Sequence, residues 1–198
     1  NNIVFSMAPA GPDLFGRLQD NAQIHDQGSS YRGNPDIAVD PSGAAHLIYG
    51  AFQEIFYNRY DADGQPAFSS DRRILSKLGN WHLSFGMGSI GVLDDGETIM
   101  VLGQKSDGNK FAQNTELMLT FSLDGGNNWQ APIATGVITH GGEGRMRPRI
   151  LNQGDRFIII YFDAKLGGIS LASIAKDTLE TLKSNTLFLP VISLLLLD

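Results

Sequence analysis

A chain of 198 residues, 42% hydrophobic and 18% charged, has the composition of one globular domain with a sizeable core, which excludes intrinsic disorder. Its formal charge of -6 offers no cationic footprint for a phosphate backbone, so nucleic acid is excluded as a partner. The absence of cysteine excludes a disulfide framework and any thiolate metal site, and leaves the redox compartment open.

The chain begins Asn-Asn-Ile-Val, with no basic segment ahead of an apolar run, so no signal peptide is visible. Residues 21–25, Asn-Ala-Gln-Ile-His, read as the outer strand of a preceding unit. A first full unit follows. Ile37-Ala38-Val39 is a short inner strand, and Asp40-Pro41-Ser42-Gly43 is a turn in which proline presets φ and glycine accepts a positive one. Ala45 to Tyr49 and Glu54 to Tyr60 are the next strands. After Asp61-Ala62-Asp63-Gly64, a fourth covers Arg72 to Leu75. The second unit repeats this with an inner strand at Ser89, then Ile99 to Leu102, Glu116 to Ser122 and Pro132 to Val137. The third has Phe157 to Phe162 and Ile169 to Ile174, with a poorly signalled last strand near Leu179 to Leu182. Thr178 to Lys183 is the one stretch with weak strand character. Leu189 to Ile192 reads as the inner strand of a following unit. The apolar run Leu187 to Leu197, broken by Pro190 and Ser193, is too short for a membrane span.

Three segments are versions of one pattern: PDIAVDPSGAAHLIYG from Pro35, SIGVLDDGETIMVLG from Ser89 and RPRILNQGDRFIIIYF from Arg147. Their turn glycines, Gly43, Gly96 and Gly154, lie 53 and 58 residues apart. That period fits one four-stranded blade with generous loops. The expected fold is therefore all-β, a β-propeller of four-stranded antiparallel blades in a single domain over 1–198. The blades fall at about 34–76, 87–138 and 146–186, with partial blades at both ends. A β-sandwich is the second choice, since short strands at regular spacing also suit it. Natural propellers have roughly four to eight blades. Three complete ones imply either a fragment with missing blades or a ring completed by a partner, of which a homo-oligomer is one form.

Residues 121–132 read FSLDGGNNWQAP and contain Ser-x-Asp-x-Gly-x-x-Trp at Ser122, Asp124, Gly126 and Trp129. This resembles the Asp-box, or bacterial neuraminidase repeat, of sialidase-like propellers. The residue types suit a structural turn: Ser122 and Asp124 exchange hydrogen bonds with turn amides, Gly126 supplies a left-handed conformation, and Trp129 plugs an apolar gap. Asp61, Asp63 and Phe68 make a degraded copy in the first unit, with Gln65 replacing the glycine; the third unit has none. The resemblance covers most of residues 21–174.

The resemblance implies an axial ligand face, formed by the loops entering each inner strand. Arg32-x-x-Pro35-x-Ile37 and Arg145-x-x-Pro148-x-Ile150 stand at two such entrances and loosely resemble the Arg-Ile-Pro segment of sialidases. Arginine suits a carboxylate because its planar fork binds bidentately and stays charged. Arg32 and Arg145, with Arg147 or Arg149 as a third, thus become candidate ligand residues, and Trp81 and Phe85, with Tyr31 and Phe52, candidate stacking platforms. The competing expectation pairs these arginines with Asp36, Glu143 or a strand-entrance carbonyl, and makes Trp81 a filler between blades.

A retaining sialidase needs an acid and a Tyr nucleophile activated by a Glu. The loop where the resemblance implies the Asp reads Gly50-Ala51-Phe52-Gln53-Glu54 and has none, leaving Glu54, Tyr161 and Asp163 as weak catalytic candidates. His25, His46, His82 and His140 share no metal-ligand spacing, and Ser106 to Lys110 lacks the carboxylates of a calcium loop. Neither a metal nor a cofactor is expected. A glycan-recognising propeller, exported to an extracellular or periplasmic location and binding an acidic or neutral carbohydrate, is the leading reading. A sialidase-like glycoside hydrolase and a protein-binding scaffold are the alternatives.

Overall fold

The computed structural model describes residues 3–7, 19–24, 32–51, 53–78, 88–106, 114–140, 146–163, 166–184 and 195–196. Strands β1 (Ile3–Met7) and β2 (Gln19–Ile24) form a two-stranded antiparallel sheet, with β1 beside the strand that follows. Three four-stranded sheets come next. The first contains β3 (Arg32–Val39), β4 (Ala45–Ala51), β5 (Glu54–Tyr60) and β6 (Arg72–Leu75). The second contains β7 (Ser89–Val92), β8 (Ile99–Ser106), β9 (Asn114–Ser122) and β10 (Ile133–His140). The third contains β11 (Arg149–Gln153), β12 (Arg156–Asp163), β13 (Gly168–Ala175) and β14 (Leu195–Leu196). Each sheet is an antiparallel meander of strands consecutive in sequence, and none lends a strand to another. A sandwich of Greek keys mixes its strands between two layers; this arrangement does not.

Local chemistry closes the β3–β4 turn. Asp40 Oδ1 accepts the amide protons of Ser42 and Ala44 at 2.8 and 3.0 Å, while Gly43 takes φ 86°. Asp95 does the same before β8, accepting the amides of Glu97 and Thr98 beside Gly96 at φ 69°. Burial raises a carboxyl pKa, but these bonds and Lys176 outweigh it and hold Asp95 down to about 2. Pro35 sits inside β3 where the pairing shifts register between Gly33 and Asp36, at a bulge that tolerates its missing N–H.

Each sheet has a leading face, toward the preceding sheet, and a trailing face, toward the next. Ile48, Ile55 and Tyr57 on the first trailing face pack against Ile90, Val92, Ile99 and Val101 on the second leading face. Met100, Leu102, Leu117 and Phe121 on the second trailing face pack against Ile150, Phe157, Ile159 and Tyr161 of the third. These seams are close. A Cβ on Gly91 of β7 would stand 2.4 Å from Ile150 Cγ2, and one on Gly103 of β8 would stand 2.9 Å from Leu75 Cδ1.

The seams are also pinned by hydrogen bonds. Asp36 Oδ2 in β3 accepts from Ser89 Oγ at 2.7 Å and Ile90 N at 3.0 Å, and Ser89 Oγ accepts from Ile150 N at 3.1 Å. The three inner strands are thus linked side by side. A second tie repeats in the linkers: Leu78 N donates to Gln53 O and Leu78 O accepts from Ser106 N, while Met146 N donates to Gln104 Oε1 and Met146 O accepts from Phe162 N.

The third sheet corrects one expectation. Residues 179–182 are not a strand: helix α1 spans Lys176–Ser184, and the fourth strand is β14, which pairs Ala172 with Leu196 and Ser173 with Leu195. Leu179 and Leu182, three apart, lie on one helical stripe. Leu179 is fully buried in the seam to the second sheet, with Leu182 beside it. Lys176 Nζ ties the helix to Asp95 of that sheet at 2.9 Å. At the other end, the strand expected at 21–25 is β2, and Leu189 to Ile192 lie outside the described residues.

Candidate functional site

The turn at Ser122 to Trp129 is a closed hydrogen-bond unit. Ser122 Oγ accepts from Gly126 N at 2.9 Å and Asp124 N at 3.3 Å, and donates to Asp124 Oδ1 at 2.8 Å. Asp124 also accepts from Asn128, through its amide at 2.8 Å and its side chain at 2.6 Å. Burial works to raise the Asp124 pKa, but the Asn128 and Ser122 bonds hold it below the usual carboxylate value. Gly126 takes φ 86°, and Trp129 Nε1 donates to its carbonyl at 3.1 Å. In the degraded copy, Asp61 Oδ1 takes the Ser122 part, accepting from Asp63 N at 3.0 Å and Gln65 N at 2.8 Å.

What sequence reading missed is where this turn docks. It lies on the trailing face of the first sheet, where Trp129 meets Tyr57 edge-on at 4.9 Å between ring centroids. Arg59 Nη1 donates to Gly125 O at 2.7 Å, and Arg72, whose Cζ stands 3.7 Å over the Phe68 ring, donates to Gly126 O and Asn127 O. The carbonyls of the turn are therefore clamped by arginines of the preceding sheet. The signal available in sequence was weak, since Arg59 and Gly125 are 66 residues apart.

Beneath the clamp is a buried chain. Asp40 Oδ2 lies 3.1 Å from His46 Nε2, and His46 Nδ1 lies 2.9 Å from the Tyr57 hydroxyl, with both His46 and Tyr57 fully buried. His46 is thus a satisfied core histidine. Burial pushes its pKa below the ordinary 6.5, with Asp40 opposing, so the fold holds the ring neutral. Above pH 6.5 the folded and unfolded chains are both neutral there and the contribution to stability is complete. As pH falls below that value the unfolded chain takes up the proton first, and stability declines. Urea denaturation between about pH 7 and 5 should show this decline at up to about 1.4 kcal/mol per pH unit for one proton. The slope should be shallower in His46→Gln.

The axial candidates are arranged differently from the turn. Arg32 begins β3 and Arg149 begins β11, at the same end of the linked inner strands, and Arg147 is exposed just ahead of β11. Of Arg32 only the backbone is described; Arg145, Trp81 and Phe85 lie outside the described residues, as do Tyr31, Phe52, His25 and His82. Asp36 is engaged by Ser89 and Ile90. Arg149 donates to Pro148 O at 3.3 Å, and because Ile150 faces the second sheet, Arg149 points to the trailing side. Among the described residues no carboxylate lies within ion-pair distance of Arg147 or Arg149. Arg147 has φ 46°, a left-handed conformation that disfavours a long side chain.

The three catalytic candidates are not brought together. Glu54, at the β4–β5 turn, accepts from Arg73 at 3.0 Å. Asp163 Oδ1 accepts from Leu166 N at 3.2 Å in the β12–β13 turn. Tyr161, in β12, is 4% exposed. It is buried in the seam to the second sheet, and burial pushes its pKa up against the hydrogen bond with Ser170, the reverse of what activates a nucleophile. Among the described residues no His, Asp or Glu cluster could hold a metal ion, and no helix is long and apolar enough to cross a membrane.

No family model matches the chain, and no curated protein matches it in sequence. Among solved structures it is similar to the alpha-L-arabinanase of Penicillium chrysogenum, determined in complex with arabinobiose, at a TM-score of 0.53 and 14% identity. The match covers 73% of this chain and 46% of that one, so the chain spans about half the length of its structural neighbour. At that identity the likeness speaks for the fold, and with the three stacked meanders it makes this chain part of a β-propeller, each four-stranded sheet a blade.

Proposed function

We propose that the chain is a glycan-recognising Asp-box β-propeller protein, exported from the cytoplasm, which binds an acidic or neutral sugar at the axial end where β3, β7 and β11 begin. The observation that carries this is Arg147. It is an exposed arginine in a left-handed conformation, with no carboxylate partner among the described residues, and a bound anion would account for a placement that costs stability. Arg32 starts an inner strand at the same end, and two guanidinium forks from different blades suit one carboxylate. A sugar ligand is further supported by the neighbour, which was determined with arabinobiose. Ser122, Asp124, Gly126 and Trp129 are read as the Asp-box and given a structural task. The hydrolase reading is weaker, since Glu54 is committed to Arg73 and Tyr161 to the core.

Calorimetric titration with sialic acid and with arabinobiose tests this. Saturable binding of at least one is expected, weakened about tenfold to a hundredfold by Arg147→Ala, as for loss of a charged hydrogen bond of about 1.5–3 kcal/mol. Arg32→Ala is expected to act in the same direction. No saturable binding, or affinity unchanged in both variants, overturns the reading.

A further inference from the structure

Charge is sorted between the two ends of the blades. The turns that join β3 to β4, β5 to β6, β7 to β8, β9 to β10 and β11 to β12 lie at the end opposite the inner-strand starts, and each carries a carboxylate: Asp40, Asp61, Asp95, Asp124 and Asp155. Lys176 and Arg156 pair with two of them, Asp95 and Asp155. The axial end carries unpaired cations instead. Lys77, Lys105, Arg147 and Arg149 are exposed there, and among the described residues none has a carboxylate within ion-pair distance. The nearby carboxylates are engaged: Glu54 by Arg73, Glu116 by the Gly136 amide at 3.2 Å and Asp163 by the Leu166 amide. A chain of net charge -6 therefore has one cationic face, and a field of one sign over one face draws in a ligand of the other.

The cations are grouped by blade junction. Lys77 directly precedes Leu78, the linker residue tied to both the first and second blades, and Arg147 directly follows Met146, tied to both the second and third. Lys105 stands beside the first linker, since Ser106 N donates to Leu78 O. Arg149 follows Arg147 by two residues. Lys77 at φ 58° and Arg147 at φ 46° are also the non-glycine residues with positive φ among the described residues. Long side chains rarely adopt that backbone, and an anion bound at each junction accounts for a basic side chain held there twice.

We propose that the axial end binds an acidic oligosaccharide, a chain with a carboxylate on successive sugars, laid across both junctions. The proposal rests on the reading above, that this end takes a sugar, and extends it from one acid to a chain of them. Packed sheets stand about 10 Å apart, so the two junctions are separated by roughly the thickness of one blade. A small monocarboxylate sits at one junction; a chain of acids reaches both. Once one acid is bound the next binds intramolecularly, so affinity rises without any new kind of contact.

Calorimetric titration with galacturonic acid and with its linear tetramer in low salt tests this. The tetramer is expected to bind tighter by about tenfold or more. Raising salt to about 1 M, where the screening length falls to about 3 Å, is expected to abolish the gain. Lys77→Gly suits the positive φ and so spares the fold; it is expected to weaken the tetramer about fivefold, as for one exposed ion pair, and to leave the monomer unchanged. A tetramer no tighter than the monomer, a tetramer affinity unchanged in Lys77→Gly, or equally tight binding of a single-stranded oligonucleotide of the same charge overturns the proposal. If sialic acid still binds and weakens in Arg147→Ala while any of these results holds, the extended site alone falls and the single-acid reading stands. No binding by any of the sugars overturns both.

Discussion

Tyr57→Ala is expected to lower unfolding stability by about 3–5 kcal/mol, in the range for truncating a buried aromatic. Three losses coincide. The ring is 0% exposed and fills the seam between the first and second blades. Its edge contact with Trp129 fixes the Asp124 turn on the first blade. Its hydroxyl, 2.9 Å from His46 Nδ1, is the partner of a buried nitrogen that no water reaches. Tyr57→Phe separates these effects, keeping the packing and removing only the hydroxyl, and should cost about 1–3 kcal/mol. Urea denaturation of the three proteins checks both values; a loss near zero for Tyr57→Ala would mean that the seam is not what holds the blades together.

Gly126→Ala is expected to cost about 2–5 kcal/mol, of which about 1–2 is the left-handed backbone and the rest overpacking. Gly126 has φ 86°, and a Cβ there would stand 2.1 Å from the Tyr57 hydroxyl oxygen. That oxygen cannot retreat without leaving His46. Gly154→Ala is the control, because Gly154 has φ 62° with nothing within 4 Å of the added carbon. It should show the backbone part alone, about 1–2 kcal/mol. Equal losses in the two variants would refute the clash.

Much of the fold was legible because it is written in local chemistry. The aspartates and glycines of the turns at 40–43 and 93–96 close their hairpins with bonds two to four residues long. Apolar residues at successive positions in β4 and β8 place two buried faces on the first and second sheets, while β12 is fully buried on one face alone. The third unit misled for the same reason. Lys176 to Ser184 has no strand pattern, and its helix is held by burial of Leu179 and by the Asp95 contact, both made with another blade.

The candidate site was legible only in part. The residues of the Asp124 turn could be named because their bonds are local. The arginine clamp could not, since Arg59 and Arg72 meet that turn across 54 to 66 residues of chain. The side to which Tyr161 points was not legible, because alternation along β12 shows that a residue faces one side without showing which side meets the neighbouring blade.

Sequence alone determined the period, the turns, the residues of the Asp124 turn and which side chains share a face, because each depends on neighbours a few positions away. Tertiary structure alone decided which faces are covered. The Asp40–His46–Tyr57 chain and the glycine-tight seams both come from the order in which whole sheets stack. Stacking is set by apolar area and close packing summed over many residues, and no short stretch of sequence carries that sum.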